Sequence, residues 1–384
     1  MERIREQIET PRIRAYAPLV ALMLVAASTT GALAGKKNPN TGTIVLDESG
    51  GFQIGGEHKV LDPNNPNRTL SCDHGYVEYF HPHNPRKTSI VMWHSSSTQV
   101  WQNRWDGGPG YKDLFLRRQY PVYLWDGPRV GRANWSCESI TYTPAARDQG
   151  NFTAWNFGPT IPAGLVPKKN EFWPDAQFPK DNKKALEAAW WAATSARYNE
   201  FDTGANIQLQ TDAAAVAADS GKLGKNIVYL TNSAGGLRAM ITQTKTSKNH
   251  IKGIVTYESI GYIFPEGDPE SPPACADTNG PGCAFGPILV SKKEFKRLAK
   301  LTAIQFVWGD HRDESWAFVK QSRLAAKLIN KYGGNASVLK LGDDAGLRGS
   351  SHIPFADMDN DKVAALLDKF LKKNHLDGWA KPSN

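Results

Sequence analysis

The sequence predicts an α/β fold, a mostly parallel sheet flanked by helices with irregular lid-like insertions, and two patterns carry that expectation. Short runs rich in Val, Ile, Tyr and Phe recur near residues 75–80, 89–94, 122–126, 226–230, 253–257, 303–308 and 337–341. Several are continuously apolar rather than alternating, as strands covered on both faces must be. Between them, residues 183–197, 236–244, 316–331 and 362–371 carry helical periodicity, and this order is the one a sheet with flanking helices requires. With 40% apolar and 22% charged residues the chain has enough apolar surface for a core, which argues against disorder. Its 384 residues would by length alone suggest two or three domains, but α/β folds often hold this many residues around one sheet. The net charge of +8 is scattered, with no run of five basic residues, so nucleic acid is not an expected partner.

Two stretches break the rhythm. Residues 135–180 and 262–287 hold aromatic residues, Gly and Pro without a clear period, the composition of lids or binding loops. At the N-terminus, Arg3, Arg5, Arg12 and Arg14 precede an apolar run from Ala15 to Ala27, and Ala32-Leu33-Ala34 supplies a small-x-small cleavage pattern. Residues 1–34 therefore read as a signal peptide, leaving 35–384 as a single domain with insertions, secreted or periplasmic. The run is too short to span a bilayer, and no membrane span is expected after cleavage. An oxidising destination favours disulfides. Cys275 and Cys283 lie close together in a Pro/Gly-rich loop and are expected to pair locally, which leaves Cys72 to join Cys137. No C-x-x-C spacing is present, so neither a zinc site nor thioredoxin-like chemistry is expected.

Chemistry enters at Asn226-Ile-Val-Tyr-Leu-Thr-Asn-Ser233-Ala-Gly-Gly236. An apolar strand runs into Ser233, and two glycines open a helix behind it. Such a turn projects a serine Oγ above the sheet edge and aims the next amide NH, that of Ala234, at a developing oxyanion. The G-x-S-x-G pattern is incomplete because Thr231 stands for the first Gly. Taken alone, Ser233 reads as an N-cap serine, and other residues decide the matter. A serine nucleophile needs a base and a carboxylate to orient it, in the chain order Ser, acid, His. His352, in Gly349-Ser-Ser-His, follows the last expected strand. Two acids compete: Glu258 ends the strand after Ser233, and Asp310 ends the strand beyond that.

The oxyanion donors should lie at the end of an earlier strand, and Ser89-Ile-Val-Met-Trp-His94-Ser-Ser-Ser97 offers backbone NH groups at Ser95 and Ser96. The aromatic insertion supplies Trp155, Phe157, Phe172 and Trp173 as walls of an apolar substrate pocket. His74, His81 and His83 are too loosely arranged to define a metal site, Asp357-Met-Asp-Asn-Asp361 has Lys362 where a calcium loop needs its turn Gly, and no dinucleotide fingerprint follows an early strand. No cofactor and no metal are expected.

With these residues in place, the sequence resembles the α/β-hydrolase superfamily, and within it a small group of exported bacterial carboxylesterases. The similarity covers most of residues 89–371. It is carried by the His94-Ser-Ser-Ser97 loop with Trp101 and Trp105-Asp-Gly, by Leu116-Arg-Arg-Gln-Tyr-Pro-Val-Tyr-Leu-Trp-Asp126, by Arg129-Val-Gly-Arg132, and by Ser233, Glu258, the Gly-Asp-His311 loop and Ser-His352. The resemblance implies the α/β-hydrolase fold and a serine esterase acting on a small-molecule ester through an acyl-enzyme. It also favours Glu258 over Asp310 as the acid. Thr231, and Ser95 where relatives carry Gly, keep a second expectation open, a catalytically silent hydrolase fold that serves as a binding protein.

Overall fold

The computed structural model describes residues 39–95, 97–198, 203–275, 283 and 285–380. The expected signal peptide and Ser96 lie outside the described residues. The main sheet is built from eight strands, numbered here among themselves: β1 (Leu46–Ile54), β2 (Gly75–Pro82), β3 (Ser89–His94), β4 (Val122–Asp126), β5 (Ile227–Asn232), β6 (Ile251–Tyr257), β7 (Ala303–Trp308) and β8 (Ala336–Lys340). Their order across the sheet is β1-β2-β4-β3-β5-β6-β7-β8. β2 runs antiparallel to β1 and β4, and all pairs from β4 to β8 are parallel.

The continuous apolar runs have a direct structural cause. On β3, Ile90 and Met92 enter one apolar layer while Val91 and Trp93 enter the other. Each face of the strand is dry, so no polar residue alternates in. The first layer is closed by α1 (Tyr111–Arg117), α3 (Lys183–Ser195) and α9 (Asn360–Lys373), together with aromatic residues around α2 (Asp148–Ala154). The second is closed by α4 (Gly204–Ser220), α5 (Ala234–Lys245), α6 (Lys292–Ala299) and α7 (Ala317–Lys331). A short α8 (Leu341–Ala345) follows β8.

Several elements depart from the expected set. β1, with Asp, Glu, Ser and two glycines, does not read as a strand. It is held by pairing with β2, where Gly50 and Gly51 lie so close to the Tyr79 and Tyr76 rings that a Cβ would collide. α4 is so rich in alanine that its apolar face has no contrast. Its ends are nonetheless marked: the Thr203 side chain accepts from Asn206 N, and Gly221 closes it at φ 77°. The stretch 135–180 is less irregular than its composition suggests, since it contains α2.

Register brings the chemistry to one edge. His94 pairs with Asn232, Asn232 with Tyr257, and Tyr257 with Val307. The residues that follow these strands therefore emerge side by side, at the carboxyl ends where open α/β sheets bind ligands. Cys72 is joined to Cys137 and Cys275 to Cys283. Among the described residues, no helix is long and apolar enough to cross a membrane.

Candidate active site

Ser233 sits between β5 and α5 with φ 55° and ψ −131°, a conformation costly for any residue with a side chain. β6 and the loop that follows it hold it there: Ser233 N donates to Tyr257 O at 3.0 Å, and Ile260 N donates to Ser233 O at 3.3 Å. The glycines behind it are required by close approach. A Cβ on Gly235 would come within 2.7 Å of Trp93 O, and one on Gly236 within 2.2 Å of Ser259 Oγ. Thr231 is fully buried within β5, and its Cβ is 3.3 Å from where a Cβ on Gly235 would stand. The tight passage thus falls on Gly235 and Gly236, which leaves position 231 room for a threonine.

His352 is placed by three separate attachments. Its backbone N donates to Trp155 O at 2.9 Å, and its carbonyl accepts from the Asn232 side chain at 2.8 Å. Asp357 ties down the preceding residue, accepting from Ser351 N at 2.6 Å and Ser351 Oγ at 2.8 Å, and also accepts from Trp105 Nε1 at 2.9 Å. Burial pushes the Asp357 carboxyl up, against the pull of these donors. The acid-rich stretch that begins α9 is thus in part a brace for the histidine loop, a role with no signature in the sequence.

Of the two acids, Glu258 is the one that meets the imidazole. Its Oε2 is 3.2 Å from His352 Nδ1, and Oε2 also accepts from Arg312 Nε at 2.7 Å while Oε1 accepts from Gly309 N at 2.7 Å. Burial alone would raise this carboxyl. The Arg312 charge, the His352 contact and the Gly309 NH outweigh it, so Glu258 is held below the ordinary glutamate range. Asp310 instead accepts from Gly349 N at 2.9 Å and from Arg348 Nη1 at 3.2 Å, both in the loop leading to His352.

Ser233 and His352 line a common cavity of about 440 Å³ with Thr153, Ala154, Trp155, Ile260, Arg312 and Trp316. Trp155 therefore stands where a substrate-pocket residue was expected. Phe157 and Phe172 do not: they pack into the core with Phe152 and Phe178, with Phe152–Phe172 and Phe157–Phe178 ring centroids 4.8 Å apart, and they clamp the insertion to the sheet. Trp173 stacks on His311 at 4.2 Å and lines a different cleft with Asp310 and Arg348. Aromatic composition could not separate these three cases. Arg312, Trp316 and Ile260 of the cavity wall were not singled out from sequence.

At the end of β3, Ser95 is buried, and Ser97 N donates to His94 Nδ1 at 3.2 Å, so the histidine ring packs beneath its own loop. Burial first, then the nearby His352, Arg197 and Arg238 charges, pull the His94 imidazole well below its ordinary range. Ala234 is the first residue of α5, directly behind Ser233. The expected donor at Ser96 lies outside the described residues.

One cluster among the described residues has donor atoms suited to a cation: Asp175, Asp310 and His311, within 4.8 Å of one another. Its members already have partners, since His311 Nε2 meets Asp175 at 2.8 Å and both Asp310 oxygens are engaged as above. Of the histidines near the N-terminal strands, His81 meets Tyr123 Oη and His83 meets Asp47, both at 2.8 Å.

No family model matches the chain, and a search of curated proteins returns no match. Among solved structures, a bacterial esterase superposes with a TM-score of 0.66 at 22% identity, over 87% of this chain and 98% of that one. A carboxylesterase from Bacillus subtilis matches with a TM-score of 0.39 at 11% identity, over 85% of this chain and 92% of that one. With its sheet order and strand directions, the chain has the α/β-hydrolase fold.

Proposed function

We propose that the protein is an exported serine esterase that hydrolyses a small carboxylic ester through an acyl-enzyme. One observation carries the reading: a strained serine at a strand-to-helix turn shares a cavity with a histidine whose Nδ1 faces a buried glutamate at 3.2 Å. His352 takes the Ser233 Oγ proton as Oγ bonds to the ester carbonyl carbon. Backbone NH groups of Ala234 and of the Ser95–Ser96 segment receive the oxyanion. The ester C–O bond then breaks, and His352 returns the proton to the departing alcohol. A water molecule, deprotonated by the same imidazole, then bonds to the acyl carbon, the bond from that carbon to Ser233 Oγ breaks, and His352 returns the proton to Oγ, releasing the carboxylic acid and free Ser233. Glu258 keeps the imidazole in the tautomer this exchange requires. Trp155, Trp316 and Ile260 support an apolar group on the substrate. The two disulfides fit an oxidising compartment and support export.

A fluorophosphonate probe tests the reading, together with chromogenic esters of graded acyl length. Labelling of the wild-type chain at Ser233, its loss in Ser233→Ala and turnover of at least one ester are expected. A folded wild-type chain that neither labels nor turns over any ester is instead a silent hydrolase fold.

A further inference from the structure

Assigning Ser233, His352 and Glu258 leaves one charged group of the cavity without a role. Arg312 Nε donates to Glu258 Oε2 at 2.7 Å, and that oxygen is also the one 3.2 Å from His352 Nδ1. The guanidinium is fixed from two further directions: Nη2 donates to Ala154 O at 3.1 Å, and the group stacks over Trp316 at 4.4 Å. The Arg312 side chain is 12% exposed and the Glu258 side chain 0%, so water screens this pair poorly. The carboxylate that orients the base is therefore already an ion pair before the base takes a proton.

That arrangement has a consequence for the base. A buried carboxylate with no other counter-ion stabilises a neighbouring imidazolium strongly, and a histidine held as imidazolium cannot accept the serine proton. A permanent positive charge on the same oxygen opposes that trapping. The other charged or titratable groups near His352 do not do this work. His94, at the end of β3, is held well below its ordinary range by burial and then by the His352, Arg197 and Arg238 charges, and Asp357, in the histidine's own loop, is engaged by Ser351 and Trp105. Asp310 beyond β7 faces Arg348 and Gly349.

We propose that Arg312 is a positioning residue for the base: by holding Glu258 Oε2 beside a fixed positive charge, it weakens the pull of that carboxylate for a proton on the imidazole and fixes the carboxylate against the ring. This rests on the reading of Ser233, His352 and Glu258 given above.

The test is the pH profile of kcat/KM in the full chain, with active sites counted by fluorophosphonate labelling. In Arg312→Met the acid limb moves to higher pH by about one unit or more, the size expected for loss of a neighbouring charge. The high-pH plateau stays within about tenfold of wild type. Arg312→Lys keeps the charge and returns the limb towards its wild-type position, although its plateau is lower because lysine lacks the planar fork that reaches Glu258 and Ala154 while lying over Trp316. A fall at every pH with the limb unmoved would make Arg312 a structural brace and overturn the proposal. If Arg312→Met does not fold, Arg312→Gln and Arg312→Lys carry the comparison: a limb displaced in the glutamine variant alone supports the proposal, and equal limbs overturn it. Failure of the underlying reading looks different, because wild type would then not label at Ser233 at all.

Discussion

Glu258 and Asp310 follow neighbouring parallel strands and are both buried, yet their oxygens serve different ends. Glu258 comes directly after β6 with φ 49°, and this turned backbone is accompanied by the Gly309 NH, Arg312 and the His352 ring around its carboxylate. Asp310 lies two residues past the end of β7, and the chain has carried it beyond the imidazole. Its carboxylate rests against Gly342, where a Cβ would meet Oδ1 at 2.0 Å, and grips Gly349 N and Arg348. One acid meets the ring and the other braces the loop that bears it. Strand position nominates both residues, and sheet register separates them: Tyr257 pairs with Val307, so Asp310 stands two residues beyond the counterpart of Glu258.

The comparison has force only if His352 serves Ser233. Ser233→Ala and His352→Ala are each expected to lower kcat by about five to six orders of magnitude, since members of one catalytic unit fail together. Near-normal turnover in either folded variant removes the reason to ask which acid is involved. Next in size is Glu258→Gln, expected to reduce kcat by up to about 10⁴ by spoiling the working tautomer. The same change strands the Arg312 charge in a site that is 12% exposed, so a stability loss of about 3 kcal/mol accompanies it. Denaturant unfolding and steady-state kinetics on the same preparation separate the two effects.

The sequence makes the nominees legible and leaves the selection hidden. β3 and β4 could be bounded at the residue because both faces are dry and the apolar run has two clear ends, and β7 could be bounded likewise although Gln305 interrupts its run. Ser233 was nominated through the glycines that its turn demands, and His352 through chain order. What could not be read depends on contacts between distant residues: Asn232 to the His352 carbonyl across 120 residues, Trp105 to Asp357 across 252, and Arg312 to Glu258 across 54. Nothing local marks Arg312 as other than one more cation in a Gly-Asp-His-Arg-Asp loop. Phe157 and Phe172 fail for the complementary reason, since a ring facing a cavity and a ring facing the core look alike in a sequence.

Acid pH sharpens the comparison from the side of stability. Folding holds Glu258 ionised below its ordinary value of 4.5. Its contribution is therefore complete above the unfolded value and is lost as pH falls from there through the lower folded value. The Tm advantage of wild type over Glu258→Gln should be constant from pH 7 to about 5 and shrink below about 4.5. An advantage that stays the same down to pH 3 would show that the Glu258 charge does little for the fold.

The smallest effect belongs to Asp310→Asn. Asparagine retains an oxygen for Gly349 N, so the link to the histidine loop survives in part. What disappears is the charge of a side chain that is itself 6% exposed and that faces Arg348, 60% exposed, with His311 3.7 Å away. An ion pair with one partner so open to water is worth about 1 kcal/mol. The expected fall in kcat is therefore no more than about tenfold, which is about 1.4 kcal/mol in the barrier, and it arises from a loosened loop rather than from a lost orienter. It follows that the pH profile of Asp310→Asn should keep the wild-type acid limb with a lowered plateau. The decisive measurement is both amide variants side by side, each shown to be folded. A collapse in Asp310→Asn beside a mild loss in Glu258→Gln would mean that His352 turns to the other carboxylate during turnover, and the division of labour drawn from the static geometry would be reversed.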